Sequence, residues 1–343
     1  MNKYDTIKEV FEWPLLEDYN TKKFYAAQGS KGQRIWVCKP QLLIPGLSRI
    51  TLDETAGREQ AGEVTLEYSA KILGPRYPDL ISIDTIEEAH ANIVRTDLIT
   101  FDVNKVIANA VALKIHQTFD FRLPLPLPAY GKALSKLWIP NGYLLRNQAR
   151  GKSEWQSFSF LREIQTNPEY LKFYNKLREF LLSKNRGFRD SLTLAEQNEM
   201  ARRFTGVTRA ELCVVGKRKI RQHFPDVGAE GLLIDVLRSK VNALGNLHAK
   251  NTAALTSDDD VNRTVDFADS LSCYKEFQMF SVLAMARFDF DKACALIKSR
   301  RKDSTYYEDK KKYKALLGRY LSHQSGGDTA ELLHELRQAV AGL

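Results

Sequence analysis

The sequence predicts an α+β chain: a largely antiparallel sheet with helices over residues 1–225, then a helical domain over residues 226–343. Three observations predict it. Short stretches of period-two alternation recur as far as Val215, and Pro and Gly residues separate them. After Pro225 the texture changes to apolar runs at helical spacing. The chain has 343 residues, 43 % of them hydrophobic, enough for more than one core.

Residues 1–30 read as a mixed, partly helical lead-in closed by Gly29-Ser30-Lys31-Gly32. Arg34 to Cys38 is a strand stopped by Pro40, and Leu47 to Leu52 is another short one after Pro45-Gly46. Val64 to Gly74 is a stronger strand, with Thr65, Glu67 and Ser69 opposite Leu66 and Tyr68. Thr85 caps a short helix, with Glu88 at its third turn position. Ile93 to Thr100 reads as a strand with Arg95, Asp97 and Ile99 on one face. Asp102 caps a helix over Val103 to Leu113, and Ile115 to Phe121 is a strand. The alternation Leu123 to Pro128 is an extended crossing, because proline excludes a helix interior and a central strand there. A helical turn at Lys132 to Leu137 and a strand at Ser157 to Leu161 follow.

Alternation over Tyr170 to Tyr174 puts Tyr170, Lys172 and Tyr174 on one face and Leu171 and Phe173 on the other, and a helical run from Leu177 to Leu182 follows. Thr193 and Glu196 open a helix over Leu192 to Phe204 as a capping box. Val207 to Val215 is the last strong strand and runs into the basic cluster Lys217, Arg218, Lys219 and Arg221. Beyond it, helical runs are expected near 228–242, 259–270, 272–285, 289–298, 305–320 and 329–340.

Composition narrows the functional class. Formal net charge is +9, from 51 Lys and Arg against 42 Asp and Glu, a balance that suggests a local basic face for a nucleic-acid partner. Cys38, Cys213, Cys273 and Cys294 lie far apart with no CxxC pair, which argues against a disulfide framework and a structural zinc site. No signal peptide is read at the start and no run reaches transmembrane length, so a cytoplasmic protein without a membrane partner is expected.

Four polar positions stand on otherwise apolar strands: Glu67, Asp97, Tyr174 with Lys176, and Glu211. On one sheet face the carboxylates of Glu67, Asp97 and Glu211 would suit a hard cation, Mg²⁺ or Mn²⁺, which polarises a phosphodiester. Tyr174 would attack the phosphorus, and Lys176 would ease its deprotonation or hold the phosphate. Tyr143, after the turn Asn141-Gly142, is a rival nucleophile. The basic residues Lys217, Arg218, Lys219, Arg221, Arg300, Arg301, Lys302, Lys310, Lys311 and Lys312 suit phosphate contact, and 285–317 has the layout of a helix-turn-helix-like unit.

The order of these segments resembles the gene II/X-type replication proteins of filamentous phages and related plasmids. The similar pieces are Leu66 to Gly74, Arg95 to Leu98, Leu171 to Glu179 and Thr208 to Leu212, with Phe290 to Leu296, Ser304 to Tyr307 and the basic helix Lys310 to Leu317 in the C-terminal half. The resemblance spans residues 60–320 in scattered blocks. It implies a rolling-circle initiator that nicks one strand of circular duplex DNA at an origin and stays on the 5′ phosphate through a tyrosine. The free 3′ hydroxyl then primes synthesis, and rejoining closes a circular single strand. It further implies Tyr174 as nucleophile, Lys176 as its basic partner, Glu67, Asp97 and Glu211 as the acidic residues, and Glu179 as the acidic end of the tyrosine block.

Expected partners are the duplex origin and the single strand, a host helicase and polymerase, and further copies of the chain on DNA, in the cytoplasm of a bacterial host cell. The sequence departs from the broader rolling-circle pattern, because its histidines include no pair flanking a hydrophobic residue; His116 is the candidate substitute ligand. Two alternatives stay open. One is a non-catalytic origin-binding protein, and the other a nucleic-acid-binding scaffold subunit of a larger nucleoprotein complex.

Overall fold

The computed structural model describes residues 2–28, 34–54, 62–135, 143–147, 157–162, 169–252, 271, 274–286, 290–298, 303–324, 332, 335–336 and 338–340. The chain forms two compact units, one from residues 1–122 and 164–247 and the other from 123–163 and 248–342.

The strands of the first unit are β1 (Tyr4–Glu12), β2 (Leu16–Tyr19), β3 (Phe24–Gln28), β4 (Arg34–Cys38), β5 (Leu47–Glu54), β6 (Gly62–Ser69), β7 (Ile99–Phe101) and β8 (Val111–Arg122). After the second unit's β9 (Tyr143–Asn147) and β10 (Ser157–Arg162) come β11 (Tyr170–Asn175) and β12 (Val207–Val215). The helices are α1 (Ile86–Val94), α2 (Val103–Asn109), the second unit's α3 (Leu127–Ser135), α4 (Lys176–Leu181), α5 (Arg186–Asp190), α6 (Leu194–Phe204), α7 (Lys217–His223) and α8 (Leu233–Arg238). A 3₁₀ segment, Ala70–Asp79, follows β6.

In the first unit the main sheet runs β3-β4-β5-β6-β1-β8-β12-β11, with every neighbouring pair antiparallel. Its antiparallel character is what the sequence predicts. The 3₁₀ segment, α4 and α6 lie together over one of its faces. On the other face, Tyr4 donates from its hydroxyl to the Val236 carbonyl at 2.8 Å, and Gln117 donates from Nε2 to the Val241 carbonyl at 3.1 Å. With both faces covered, β12 is buried from Val207 through Val214. A strand covered on both sides must bury its polar residues too, and these must find partners.

Several local expectations differ from the fold. The lead-in is β1, β2 and β3. Its alternation is masked because β1 shifts register against β8 between Tyr4 and Thr6 and again between Lys8 and Glu9. The shifts leave Glu9 fully buried, its carboxylate bonded by the Tyr68 hydroxyl at 3.1 Å and lying 2.6 Å from His90 Nε2. The strand expected over Ile93 to Thr100 is instead the end of α1 and a turn. Backbone N–H groups of Arg95, Thr96 and Asp97 donate back to Ala91, Ile93 and Val94, and Asp97 takes a left-handed φ of 55°. Only β7 remains of that strand.

The helix after Asp102 is shorter than expected, because the chain enters β8 at Val111. Thr85 stands at the helix start, but its hydroxyl donates to the Leu80 carbonyl and makes no cap bond. The extended Leu-Pro crossing stops at Pro126, and Leu127 and Pro128 open α3, where a first-turn proline loses no hydrogen bond. The predicted capping box at Thr193 and Glu196 is present on α6.

The segment after Pro225 begins within the sheet unit. Leu233 N donates to the Ala110 carbonyl at 2.7 Å, and Asn2 Nδ2 donates to the carbonyls of Ser239 and Val241. Residues 226–247, beyond the expected boundary at 225, thus lie in the first unit, and residues 123–163, before it, lie in the second. The second unit holds α3, the antiparallel β9–β10 pair and the helices Tyr274–Met285, Phe290–Lys298 and Asp303–Gln324. Those three helices bury Phe280, Leu283, Ala293, Ile297, Tyr313, Leu316 and Leu317 against one another. The run expected over 259–270 lies outside the described residues.

Candidate functional site

Register decides which polar residues meet. In the β8–β12–β11 ladder, Asp120 lies opposite Arg209 and Arg209 opposite Tyr174. Two residues on, Thr118 is opposite Glu211 and Glu211 opposite Lys172; His116 and Tyr170 flank Cys213 in the next row. Side chains two apart on a strand share a face. One face thus carries Asp120, Arg209 and Tyr174, then Glu211 and Lys172, then His116 and Tyr170. Glu67 joins the same face from β6, through Lys8 of β1 and Lys114 of β8.

A strand-to-helix junction brings Lys176 to this group. Asn175 ends β11 and caps α4, its Oδ1 accepting from the Arg178 N–H at 2.8 Å. Lys176 is therefore the first helical residue, and Glu179 lies one turn along the same helix face. The Lys176 ammonium donates to Glu179 Oε2 at 2.9 Å and also to the Tyr77 hydroxyl. Glu179 also accepts from Asn185 Nδ2 at 2.9 Å and lies 3.0 Å from the Lys184 ammonium. Burial alone would raise the Glu179 carboxyl, but Lys176 and these donors hold it well below the usual carboxylate range. Burial, and then the nearby Arg209 charge, lower the Lys176 ammonium from its ordinary value.

Arg209 is the hub of the group. It is fully buried and forks onto Asp120, with Nε to Oδ1 at 2.6 Å and Nη2 to Oδ2 at 2.7 Å. Its Nη1 donates to Asp5 Oδ1 at 2.8 Å and to the Tyr77 hydroxyl at 3.3 Å. Tyr77 in turn donates to Asp5 Oδ1 at 3.2 Å. Tyr77 and Phe204 close over the two cations: the Lys176 ammonium lies 4.6 Å from the Tyr77 ring centre and 5.3 Å from that of Phe204.

Tyr174 and Glu211 face each other directly. Tyr174 is 5 % exposed, and its hydroxyl donates to Glu211 Oε1. Burial, then the Glu211 charge, push the Tyr174 hydroxyl well above its ordinary value. Burial, then the Asp5 charge, raise the Glu211 carboxyl. A carboxylate so raised is a stronger proton acceptor, and the Tyr174 hydroxyl already donates to it. The Lys172 ammonium lies 4.5 Å from the Tyr174 ring centre on the more open side of the group.

The predicted residues divide cleanly. Tyr174, Lys176 and Glu211 are brought together, and Glu67 shares their face, where it pairs with Lys114 at 2.7 Å. Asp97 is not among them. It sits on the turn after α1 with its side chain 86 % exposed, 3.3 Å from the Lys23 ammonium. The expected three-carboxylate set for Mg²⁺ or Mn²⁺ is thus not assembled, and among the described residues no group of three or more His, Cys, Asp or Glu is placed to hold a metal ion. Sequence reasoning missed Asp5, Tyr77, Asp120 and Arg209. One signal was visible: Arg209 stands two residues before Glu211 on a strand that is otherwise apolar.

His116 lies beside the pair, with Nδ1 3.9 Å from Glu211 Oε2 and Nε2 without a hydrogen-bond partner. Burial, then the Lys114 charge, pull its imidazole down to about 4. The unfolded value is about 6.5. Between those values the unfolded chain binds a proton that the folded chain refuses, so stability is lost as pH falls through that window. Urea unfolding is expected to show about 3 kcal/mol of this loss between pH 7 and pH 4. His116→Gln should remove that part of the pH dependence, and an unchanged profile in the variant would show that His116 does not cause it.

The predicted basic residues lie on two surfaces. Lys217, Arg218 and Arg221 are exposed on α7, while Lys219 is half-buried, 3.7 Å from Glu169. Arg218, Arg221, Gln222, Pro225 and Val227 line an open cleft of about 560 Å³. Lys311 and Lys312 are exposed on the helix Asp303–Gln324, and the Lys310 ammonium lies 5.8 Å from the Phe290 ring centre. Arg300, Arg301 and Lys302 lie outside the described residues, as does the Tyr143 side chain. Among the described residues no helix is long and apolar enough to cross a membrane. No protein-family model and no curated protein matches the chain.

Proposed function

We propose that the chain is a rolling-circle replication initiator that nicks and rejoins one strand of circular DNA at an origin, with Tyr174 as nucleophile. One observation carries this reading: the Tyr174 hydroxyl donates to a buried carboxylate, Glu211, whose own affinity for a proton is raised. In the nicking step the Tyr174 oxygen forms a bond to phosphorus and its proton passes to Glu211. The bond from phosphorus to the 3′ oxygen breaks, and that oxygen leaves as a hydroxyl after taking a proton from water. Rejoining reverses the bonds: the 3′ hydroxyl gives its proton to water as it attacks the phosphotyrosine, the bond from phosphorus to the Tyr174 oxygen breaks, and Tyr174 leaves with the proton returned from Glu211. Lys172 is the cation best placed to meet the phosphate, because Lys176 and Arg209 are held by Glu179, Asp120 and Asp5. Since Tyr174 is 5 % exposed, this chemistry requires the layer carrying Tyr77 and Phe204 to open over the sheet.

The same reading gives the basic faces their role. α7 and the helix Asp303–Gln324 supply phosphate contacts on the duplex origin and the single strand. A host helicase and polymerase complete the process in the cytoplasm of a bacterial host cell, with Mg²⁺ or Mn²⁺ as the divalent cation and copies of the chain assembling on DNA. A second reading is a non-catalytic origin-binding or scaffold protein. It is favoured by the pairing and burial of the cluster, which would then serve the fold alone.

The test is cleavage of supercoiled DNA carrying the gene's neighbouring intergenic region, with Mg²⁺ or Mn²⁺ supplied. Any covalent adduct is isolated on a denaturing gel and its peptide mapped by mass spectrometry. A nick with the adduct on Tyr174 is the expected result. An adduct on another tyrosine rejects Tyr174, and no cleavage by folded protein on a verified origin leaves the binding reading.

A further inference from the structure

We propose that the outer face of the helix Asp303–Gln324 binds single-stranded DNA, with Tyr307 as the platform for an unpaired base and Lys311 and Lys314 on the flanking phosphates. Tyr307 is 65 % exposed, among the most exposed large apolar side chains of the described chain. It does not project loosely. Its ring lies 5.5 Å from that of Tyr306, centre to centre, at 64°. Tyr306 packs against the buried cluster of the three helices that includes Tyr313, Leu316 and Leu317. An aromatic ring held outward and braced from behind loses little rotamer freedom when a base stacks on it.

The lysines stand where that ligand needs them. Residues four and seven positions along a helix share a face with the first, so Lys311 and Lys314 follow Tyr307 along one stripe, and both are exposed. Lys310 flanks the stripe, half-buried over Phe290, and Lys312 is exposed on its far side. Among the residues whose side chains are described, Glu308 is the exposed acid beside Tyr307, against these four ammonium groups.

Charge alone would suit any polyanion; the ring selects. In a duplex each base face is covered by its neighbours, whereas a single strand offers free faces. Aromatic stacking with lysine contact is a sequence-tolerant way to hold such a strand. The occupant is therefore single-stranded DNA and not the major groove of a duplex, where a helix is read through base edges. This deepens the nicking reading by naming the strand state that the second unit would hold. It is measured without cleavage, so either can fail alone.

The experiment uses the full chain in EDTA, with fluorescence anisotropy of a labelled oligothymidylate and of a labelled duplex of similar length. Tyr307→Ala is expected to weaken oligothymidylate binding at least about tenfold and to change duplex binding by less than about twofold. Tyr307→Phe keeps the ring and should stay within about twofold of wild type on both. Lys311→Ala and Lys314→Ala should each lower the salt slope on the single strand by about 0.7. The proposal is overturned if Tyr307→Ala binds like wild type, or if Tyr307→Phe loses as much as Tyr307→Ala. It is equally overturned if single strand and duplex weaken together. Displacement by polyglutamate with the same dependence on Tyr307 would mark an acidic-peptide site instead.

Discussion

Arg209→Met is expected to lower the free energy of unfolding by about 3–5 kcal/mol. The guanidinium is fully buried and serves two carboxylates and a phenol at once. Its removal leaves Asp5 and Asp120 in place, with side chains 15 % and 26 % exposed, and neither regains its full hydration. Methionine fills much of the same volume, so the loss reports charge more than cavity. One compensation acts in the opposite sense: Arg209 is a cause of the lowered Lys176 ammonium, and its removal eases that repulsion. Urea unfolding at neutral pH measures the net effect. The double variant Arg209→Met/Asp120→Leu should recover part of the loss, because one orphaned carboxylate is gone. A loss below about 1 kcal/mol in the single variant would mean that the carboxylates find water, and that the ion-pair hub is not what holds this end of the sheet.

How much of this was legible in the sequence depended on distance along the chain. The junction Tyr174-Asn175-Lys176 is local: an alternating strand, an asparagine cap and a first helical residue, all readable within a few positions. The placement of Glu67 and Glu211 on one face also follows from alternation, once both strands are in the same sheet. Partners fixed by register were not readable. Asp120 meets Arg209 only because β8 and β12 pair in one register. Asp5 reaches Arg209 from a strand whose alternation is broken by register shifts. Tyr77 comes from a 3₁₀ segment whose Pro75 and Pro78 look like the mere end of a strand. Asp97 failed for the converse reason. A helix C-terminus followed by a left-handed residue and a short strand imitates alternation over Ile93 to Thr100.

If the chain nicks DNA as proposed, Glu211→Gln is expected to reduce the rate of strand nicking by about 10²–10⁴-fold while leaving the fold at least as stable. The two halves of this prediction come from the same contact. Glutamine keeps the size of the side chain and a carbonyl oxygen able to accept from the Tyr174 hydroxyl, but it cannot take the proton. The attacking oxygen then stays a phenol, held far above its ordinary value by burial. Stability moves the other way, because Glu211 is raised by burial and by the Asp5 charge, and a neutral amide suffers neither. A purely structural carboxylate would behave differently: its loss would leave cleavage untouched in whatever fraction stays folded. Single-turnover nicking and urea unfolding on the same preparation separate the cases. Tyr174→Phe sets the floor, since it removes the proposed nucleophile and should yield no adduct at any enzyme concentration. If Glu211→Gln nicks like wild type while Tyr174→Phe does not, another base serves Tyr174, and His116, 3.9 Å from the Glu211 carboxylate, is the next group to replace.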